Sequence, residues 1–217
     1  DFSVKLCNEV FQAWEKATPE KQIIFNLPAT VERRLPNEYA DMIELFSRKI
    51  NNRDSILISL HAHNDQGMAV AATELALMAG ADRVEGTLFG HGERTGNVDL
   101  VICINNYFSR GIKSDIDFSN LPDIAQTVEK LTGLPVYYRQ PYSGNYSFTA
   151  FSGSHQDAIN KGIKKLSEAP EIFGMSWKVP YLHIDPSDIG RKYERLIRIN
   201  SQSGKGGIAW VLDKDYD

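Results

Sequence analysis

Apolar residues recur along the first half of the chain with two alternating periods. Val4, Cys7, Val10, Phe11 and Trp14 fall at helical spacing and predict an amphipathic helix over residues 2–16. Thr18-Pro19-Glu20 interrupts it, and Gln22–Leu27 (QIIFNL) reads as a short buried strand ending at Pro28-Ala29-Thr30. Tyr39, Met42, Ile43, Phe46 and Ile50 mark a helix over 36–50, with Pro36 near its start, where proline is tolerated. Ile56, Leu57, Ile58 and Leu60 form a continuous apolar run, the pattern of a strand buried on both faces, over 55–61. An Ala- and Leu-rich helix follows over 66–79, with Gly80 placed to end it. Arg83–Leu88 is a third strand, and Val98, Val101, Ile102, Asn105 and Phe108 carry the next helix, to Ser109.

Residues 1–110 therefore read α-β-α-β-α-β-α, an α/β pattern that implies a parallel sheet. The spacing suits either a doubly wound sheet or part of a (β/α)₈ barrel. Three strands cannot close a barrel, and no glycine-rich fingerprint follows the first strand. In both architectures ligands collect at the carboxyl ends of the strands, here Pro28-Ala29-Thr30, His61-Ala62-His63 and the loop Gly90–Asn97.

After Gly111 the rhythm changes. A helix is expected near 121–132, an extended segment over 135–142, and a strand or turn feeding a helix within 147–167. A polar, Pro-bearing segment, 168–188, leads to a last helix near 187–197, a Ser/Gly-rich loop over 200–207 and a strand over 208–212. This divides the chain into a partial barrel (1–112), a first small subdomain (113–167) and a linker with a second subdomain (168–217), both mostly helical α+β. There is no internal repeat. The first helix begins at once, without a cap or a preceding strand, as expected of a chain cut inside a fold.

Composition narrows the classes. The 217 residues carry a net charge of −4, which argues against nucleic-acid binding. No apolar run reaches the roughly 18 residues of a membrane span, and the expected compartment is the cytoplasm. Cys7 and Cys103 have no metal-type spacing and read as free thiols.

Three groups of residues carry candidate chemistry. His61 and His63 alternate onto one side of their strand, together with Leu57 and Ser59, so two imidazoles can share one ion; the alternative is a hydrogen-bonded pair that closes a loop. Carboxylates, waters and substrate oxygens would complete a site for Mg²⁺, Mn²⁺ or Zn²⁺, and Asp65 is the only acid nearby in sequence. The loop Gly90-His91-Gly92-Glu93-Arg94-Thr95-Gly96-Asn97 opens a helix and has Asn97 as its expected N-cap, with His91 exposed. His155 stands just inside a helix start, and Tyr193 lies on an amphipathic helix. Ser201–Gly207 lacks Walker spacing and is not a nucleotide loop.

Leu27–Glu32, His61–Asp65, Gly90–Asn97, Gly153–Gly162 (GSHQDAINKG) and Asn200–Gly207 (NSQSGKGG) together resemble the 2-isopropylmalate synthase family, within the metal-dependent acyltransferase and lyase barrels. The H-x-H and G-E-R motifs are shared across those barrels, including homocitrate and citramalate synthases; the last two stretches are narrower. His91 stands where the family usually has Asn. The resemblance implies a (β/α)₈ barrel, condensation of acetyl-CoA with 2-oxoisovalerate and hydrolysis to 2-isopropylmalate and CoA, in leucine synthesis. It implies a divalent metal at His61, His63 and beside Asn97, with a monovalent cation as a further candidate, and Thr30 as a contact to the oxo-acid carboxylate. It also implies a homodimer in which His155, a candidate base, and Tyr193 serve the partner's site.

The family's first-strand D-x-x-x-R-D motif does not occur in this chain. The expectation is an internal fragment, inactive alone. A synthase for another 2-oxo acid and a non-catalytic assembly piece are the rival readings.

Overall fold

The computed structural model describes residues 1–14, 16–112, 114–150, 152–168, 177–191, 205 and 208. It divides into two compact units, Asp1–Cys103 and Ile104–Asp217.

In the first unit α1 (Phe2–Trp14), β1 (Ile23–Ala29), α2 (Pro36–Lys49), β2 (Ile56–Ala62), α3 (Ala69–Met78) and β3 (Arg83–Glu85) alternate as expected, and α4 (Leu100–Ser109) follows. The three strands form one parallel sheet in the order β1-β2-β3. The register pairs Phe25 with Ile58, Leu27 with Leu60 and Leu60 with Val84, so apolar side chains stand side by side on one face. That face packs with Tyr39, Ile43 and Phe46 of α2 and with Ala72 and Ala76 of α3. Ile56, Ile58 and Leu60 are completely buried there, each worth about 1.5–3 kcal/mol of transfer free energy.

The opposite face is polar but still covered, with Ser59 wholly buried and Leu57 and His61 half-buried, in keeping with a strand buried on both faces. Asn26, Ser59 and Arg83 form one rung across the sheet, and Pro28, His61 and Glu85 the next. The apolar run in β2 conceals this face because Leu57 is its only apolar member in that strand.

Two boundaries move for identifiable reasons. Helix α3 begins at Ala69 rather than residue 66, because Asn64–Met68 form a turn whose amides are taken by side chains: Ala69 N–H by Asn64 Oδ1 at 3.1 Å, and Met68 N–H by Glu32 Oε1 at 3.0 Å. β3 ends at Glu85 rather than Leu88. Thr87 leaves the ladder to exchange backbone bonds with Val98 and Leu100 at 3.1 and 3.0 Å, and a Cβ on Gly86 would overlap Val98. The cap of α4 is Asp99, whose Oδ1 accepts from Val101 N–H at 2.8 Å, and not Asn97.

In the second unit α5 (Leu121–Thr132) ends at Gly133, in the left-handed region at φ 70°. α6 (Gly153–Glu168) matches the helix expected to carry His155. Gly162 lets Val179 and Pro180 lie against α6, since a Cβ there would stand 2.7 Å from Pro180 Cδ. Residues 135–142 are not extended: they run into consecutive turns closed by Gln140 N–H to Tyr137 O and Gly144 N–H to Gln140 O, both at 2.9 Å. Of the helix expected near 187–197, residues 192–197 lie outside the described residues, and Pro186–Ile189 make a 3-10 turn ended by Gly190 at φ 74°. Lys205 and Ile208 are helical, where a loop and a strand start were expected, and the rest of the strand expected over 208–212 lies outside the described residues. Among the described residues no helix is long and apolar enough to cross a membrane.

Candidate functional site

His61 and His63 leave the carboxyl end of β2 on the polar side of the sheet, their ring centroids 5.4 Å apart. Backbone pairing then brings the glycine loop to them. Val98 N–H donates to Ala62 O at 2.9 Å and Asn64 N–H to Gly96 O at 3.0 Å, so Asn97 bridges to His63. The Asn97 amide nitrogen lies 3.3 Å from His61 Nε2 and 3.4 Å from His63 Nε2. Both Nε2 atoms thus face one point.

The His61 Nδ1–H donates to Glu85 Oε2 at 3.2 Å. Glu85 is anchored in turn by Asn26 Nδ2 at 2.6 Å, by the Ser59 hydroxyl at 3.0 Å and by Arg83. The His61 bond, chiefly, holds the Glu85 carboxyl below its ordinary range, with Arg83 and Ser59 assisting. A carboxylate on the far nitrogen of an imidazole fixes the tautomer that a metal requires. Sequence reasoning missed Glu85, because it meets His61 through the β2–β3 register rather than through proximity in the chain.

Asp65, the nearest acid in sequence, is turned elsewhere. It receives Arg94 Nε at 2.8 Å on one oxygen and Arg94 Nη2 at 3.1 Å, with Glu32 N–H at 3.0 Å, on the other. Arg94, above all, holds the Asp65 carboxyl well below the usual carboxylate range. Arg94 Nη2 also reaches Thr30 O at 2.6 Å. Glu32, buried and unsuspected from sequence, spends its carboxylate on the amides of Gln66 and Met68. Thr30 and His63 line one cavity of about 440 Å³ together with Tyr39, Met42, Arg33 and Arg34.

The donor set of His61, His63 and Asn97 fits a divalent ion of mixed nitrogen and oxygen preference: the two Nε2 atoms converge, and rotating the Asn97 amide offers its oxygen. The His63 Nδ1 is buried without a partner among the described residues. Among the described residues no group of three or more His, Cys, Asp or Glu side chains could hold a metal. His91 is half-buried rather than exposed, 6.3 Å from the Phe89 ring.

In the second unit His155 stacks on Tyr181, with centroids 4.0 Å apart and planes 24° from parallel. Tyr193 lies outside the described residues, as does most of the NSQSGKGG stretch.

A profile of the family described as HMGL-like matches residues 2–128, which include all three strands and the histidine pair. The chain belongs to the HMGL-like family. A second profile, alpha-isopropylmalate synthase post-catalytic domain-like, matches residues 145–213. Among curated relatives, the 2-isopropylmalate synthase of Ralstonia pickettii (strain 12J) is 58% identical over 217 residues, 100% of this chain and 37% of that protein. Those of Rhodospirillum rubrum and Pseudomonas syringae pv. tomato are 58% and 57% identical over 216 residues, each 38% covered. This HMGL-like chain thus spans little more than a third of the length of the curated relatives it matches. A solved HMG-CoA lyase from Acenitobacter baumannii, in complex with coenzyme A and 3-methylmalate, aligns at TM-score 0.45 and 23% identity over 51% of this chain and 37% of that chain. The resemblance read from the motifs is the one these comparisons find.

Proposed function

We propose that this chain contributes the histidine half of the metal and oxo-acid site of a 2-isopropylmalate synthase, which joins acetyl-CoA to 2-oxoisovalerate and releases 2-isopropylmalate and CoA. One observation carries the reading. In a chain that matches such synthases along its whole length, His61 and His63 turn both Nε2 atoms to a single point at the carboxyl end of a parallel strand.

His61, His63 and the Asn97 oxygen would hold the divalent ion, which when bound supplies Lewis-acid polarisation of a ketone. Glu85 keeps the His61 proton on Nδ1, so Nε2 stays free to donate its lone pair. The Thr30 hydroxyl, at the rim of the cavity it shares with His63, donates to the oxo-acid carboxylate. An imidazole nitrogen of His155 accepts a proton from the acetyl methyl group, as a general base within reach of a carbon acid does. The carbanion attacks the ketone carbon, and water then releases CoA from the thioester. His155 and Tyr193 act on a second copy's site, so the working unit is a homodimer.

The test is thiol release from acetyl-CoA by the protein carrying this chain, with 2-oxoisovalerate, 2-oxoglutarate and pyruvate supplied in turn. Preference for 2-oxoisovalerate is expected. Preference for another oxo acid, or thiol release indifferent to the oxo acid, overturns the assignment.

A further inference from the structure

Arg94 occupies an unusual place. Its backbone is left-handed at φ 55°, a region that side-chain-bearing residues enter only where the surroundings hold them. The turn is closed behind it by Gly96 N–H to Glu93 O at 2.9 Å. The conformation aims the guanidinium out of the glycine loop and across two others. It grips Asp65, in the turn after β2, through two nitrogens, and Thr30 O, after β1, through one of them.

Asp65 extends the grip by accepting Glu32 N–H at 3.0 Å, and Glu32 returns it through bonds to Gln66 and Met68 N–H. Residues 30 and 32 are thereby held from both sides: the Thr30 carbonyl by Arg94, and the Glu32 amide by the carboxylate that Arg94 itself orients. The side chain of Thr30 takes no part and is left exposed. The strand ends of this unit are also joined by the His63 N–H to Ala29 O bond at 3.2 Å, by the backbone bonds of Asn64 and Val98, and by the Asn97 side chain at the two histidines, none of which reaches residues 30–32.

We propose that Arg94 and Asp65 are positioning residues. Together they form a clamp that fixes Thr30 at a set distance from the His61–His63 pair, and so places the carboxylate of the 2-oxo acid. The inference rests on the reading of Thr30 given above. The chemistry calls for arginine: one planar fork satisfies both oxygens of Asp65 and a carbonyl at right reach, whereas lysine offers a single charged point. Nothing in the clamp touches the reacting atoms. Its loss therefore weakens binding of the oxo acid rather than the chemical step.

The test uses Arg94→Gln and Arg94→Lys in the protein carrying this chain. Both variants are expected to raise KM for 2-oxoisovalerate by about tenfold or more with kcat within about threefold, the signature of lost uniform binding. KM for acetyl-CoA is expected to stay put. Independently of turnover, hydrogen exchange at the Glu32 amide should accelerate in both variants, while the Val98 amide, bonded to Ala62 O, keeps its protection. Lysine behaving like arginine, or kcat and melting temperature falling together at unchanged KM, overturns the proposal. If the unmodified protein condenses no 2-oxoisovalerate, the functional reading falls, and exchange at Glu32 alone decides the clamp: unaltered protection in Arg94→Lys refutes it.

Discussion

Asn97 reaches both histidines because Gly92 has no side chain. A Cβ on Gly92 would overlap the Asn97 amide oxygen and crowd its backbone nitrogen at 3.3 Å. The Gly-x-Gly pattern is therefore a steric requirement of the donor set, placed five residues before the amide it accommodates. Gly92→Ala is expected to push Asn97 off the two Nε2 atoms and to cost about 1–3 kcal/mol, as overpacked sites do. Urea denaturation and a Zn²⁺ titration measure the two effects. Unchanged values in both would mean that the loop gives way freely.

Glu85 sets the tautomer of His61, and its removal should be felt at the other ring nitrogen. Glu85→Gln is expected to weaken Zn²⁺ or Co²⁺ binding by roughly 10–100-fold, the usual effect of losing the carboxylate behind a ligating imidazole. Calorimetric titration of the protein carrying this chain reads it directly. His61→Ala and His63→Ala should each do more.

The Cys103 thiol is pushed up to about 12 from its ordinary 9.0, first by burial and then by the charges of Glu74 and Asp99. For an acid whose folded value is raised, the stabilising contribution is complete below the unfolded value and is lost as the pH climbs toward the folded one. Cys103 therefore steepens the alkaline loss of stability by about 1.4 kcal/mol per pH unit above roughly pH 9. Cys103→Ala should flatten that limb. Denaturation midpoints compared at pH 8 and pH 11 test it, and parallel curves would refute the assignment.

The 217-residue chain by itself is expected to release no CoA at enzymatic rates. Two imidazoles and an amide leave a divalent ion short of anionic donors, and no further acid joins them among the described residues, since Asp65 is held by Arg94 and Glu85 by the sheet. Thiol release by the isolated chain at about 1 per second or faster would contradict this.

Stability should depend most on the helix side of β2. Ile58 is wholly buried between α2 and α3, and Ile58→Ala is expected to cost about 2–5 kcal/mol in chemical denaturation.

The sequence made some of this legible and hid the rest for physical reasons. Helix and strand alternation, the parallel sheet and the histidine pair all follow from local periodicity, which residues 2–109 express strongly. Glu85 was invisible because which residue of β3 lies beside His61 is decided by strand register, and register is not written in either strand alone. The capping role went to Asp99 rather than Asn97 because residues 96 and 98 are drawn into backbone bonds with β2 and its turn, and the Asn97 N–H into one with Gly90 O. Residues 135–142 read as extended, yet turn bonds between residues three and four apart, from Tyr137 on, fold the segment back.

Residues of β2 and its extension answer to two masters by parity. Even numbers 56, 58, 60 and 62 belong to the helix side and admit only apolar side chains that fill it. Odd numbers 59, 61 and 63 belong to the ligand side and are bound by no packing demand from α2 or α3. A family can thus rewrite its odd positions, and the reaction with them, while the even ones hold the scaffold still. The same interleaving makes register unforgiving: sliding β2 by one residue would drive two imidazoles into hydrocarbon and abolish fold and chemistry in one step.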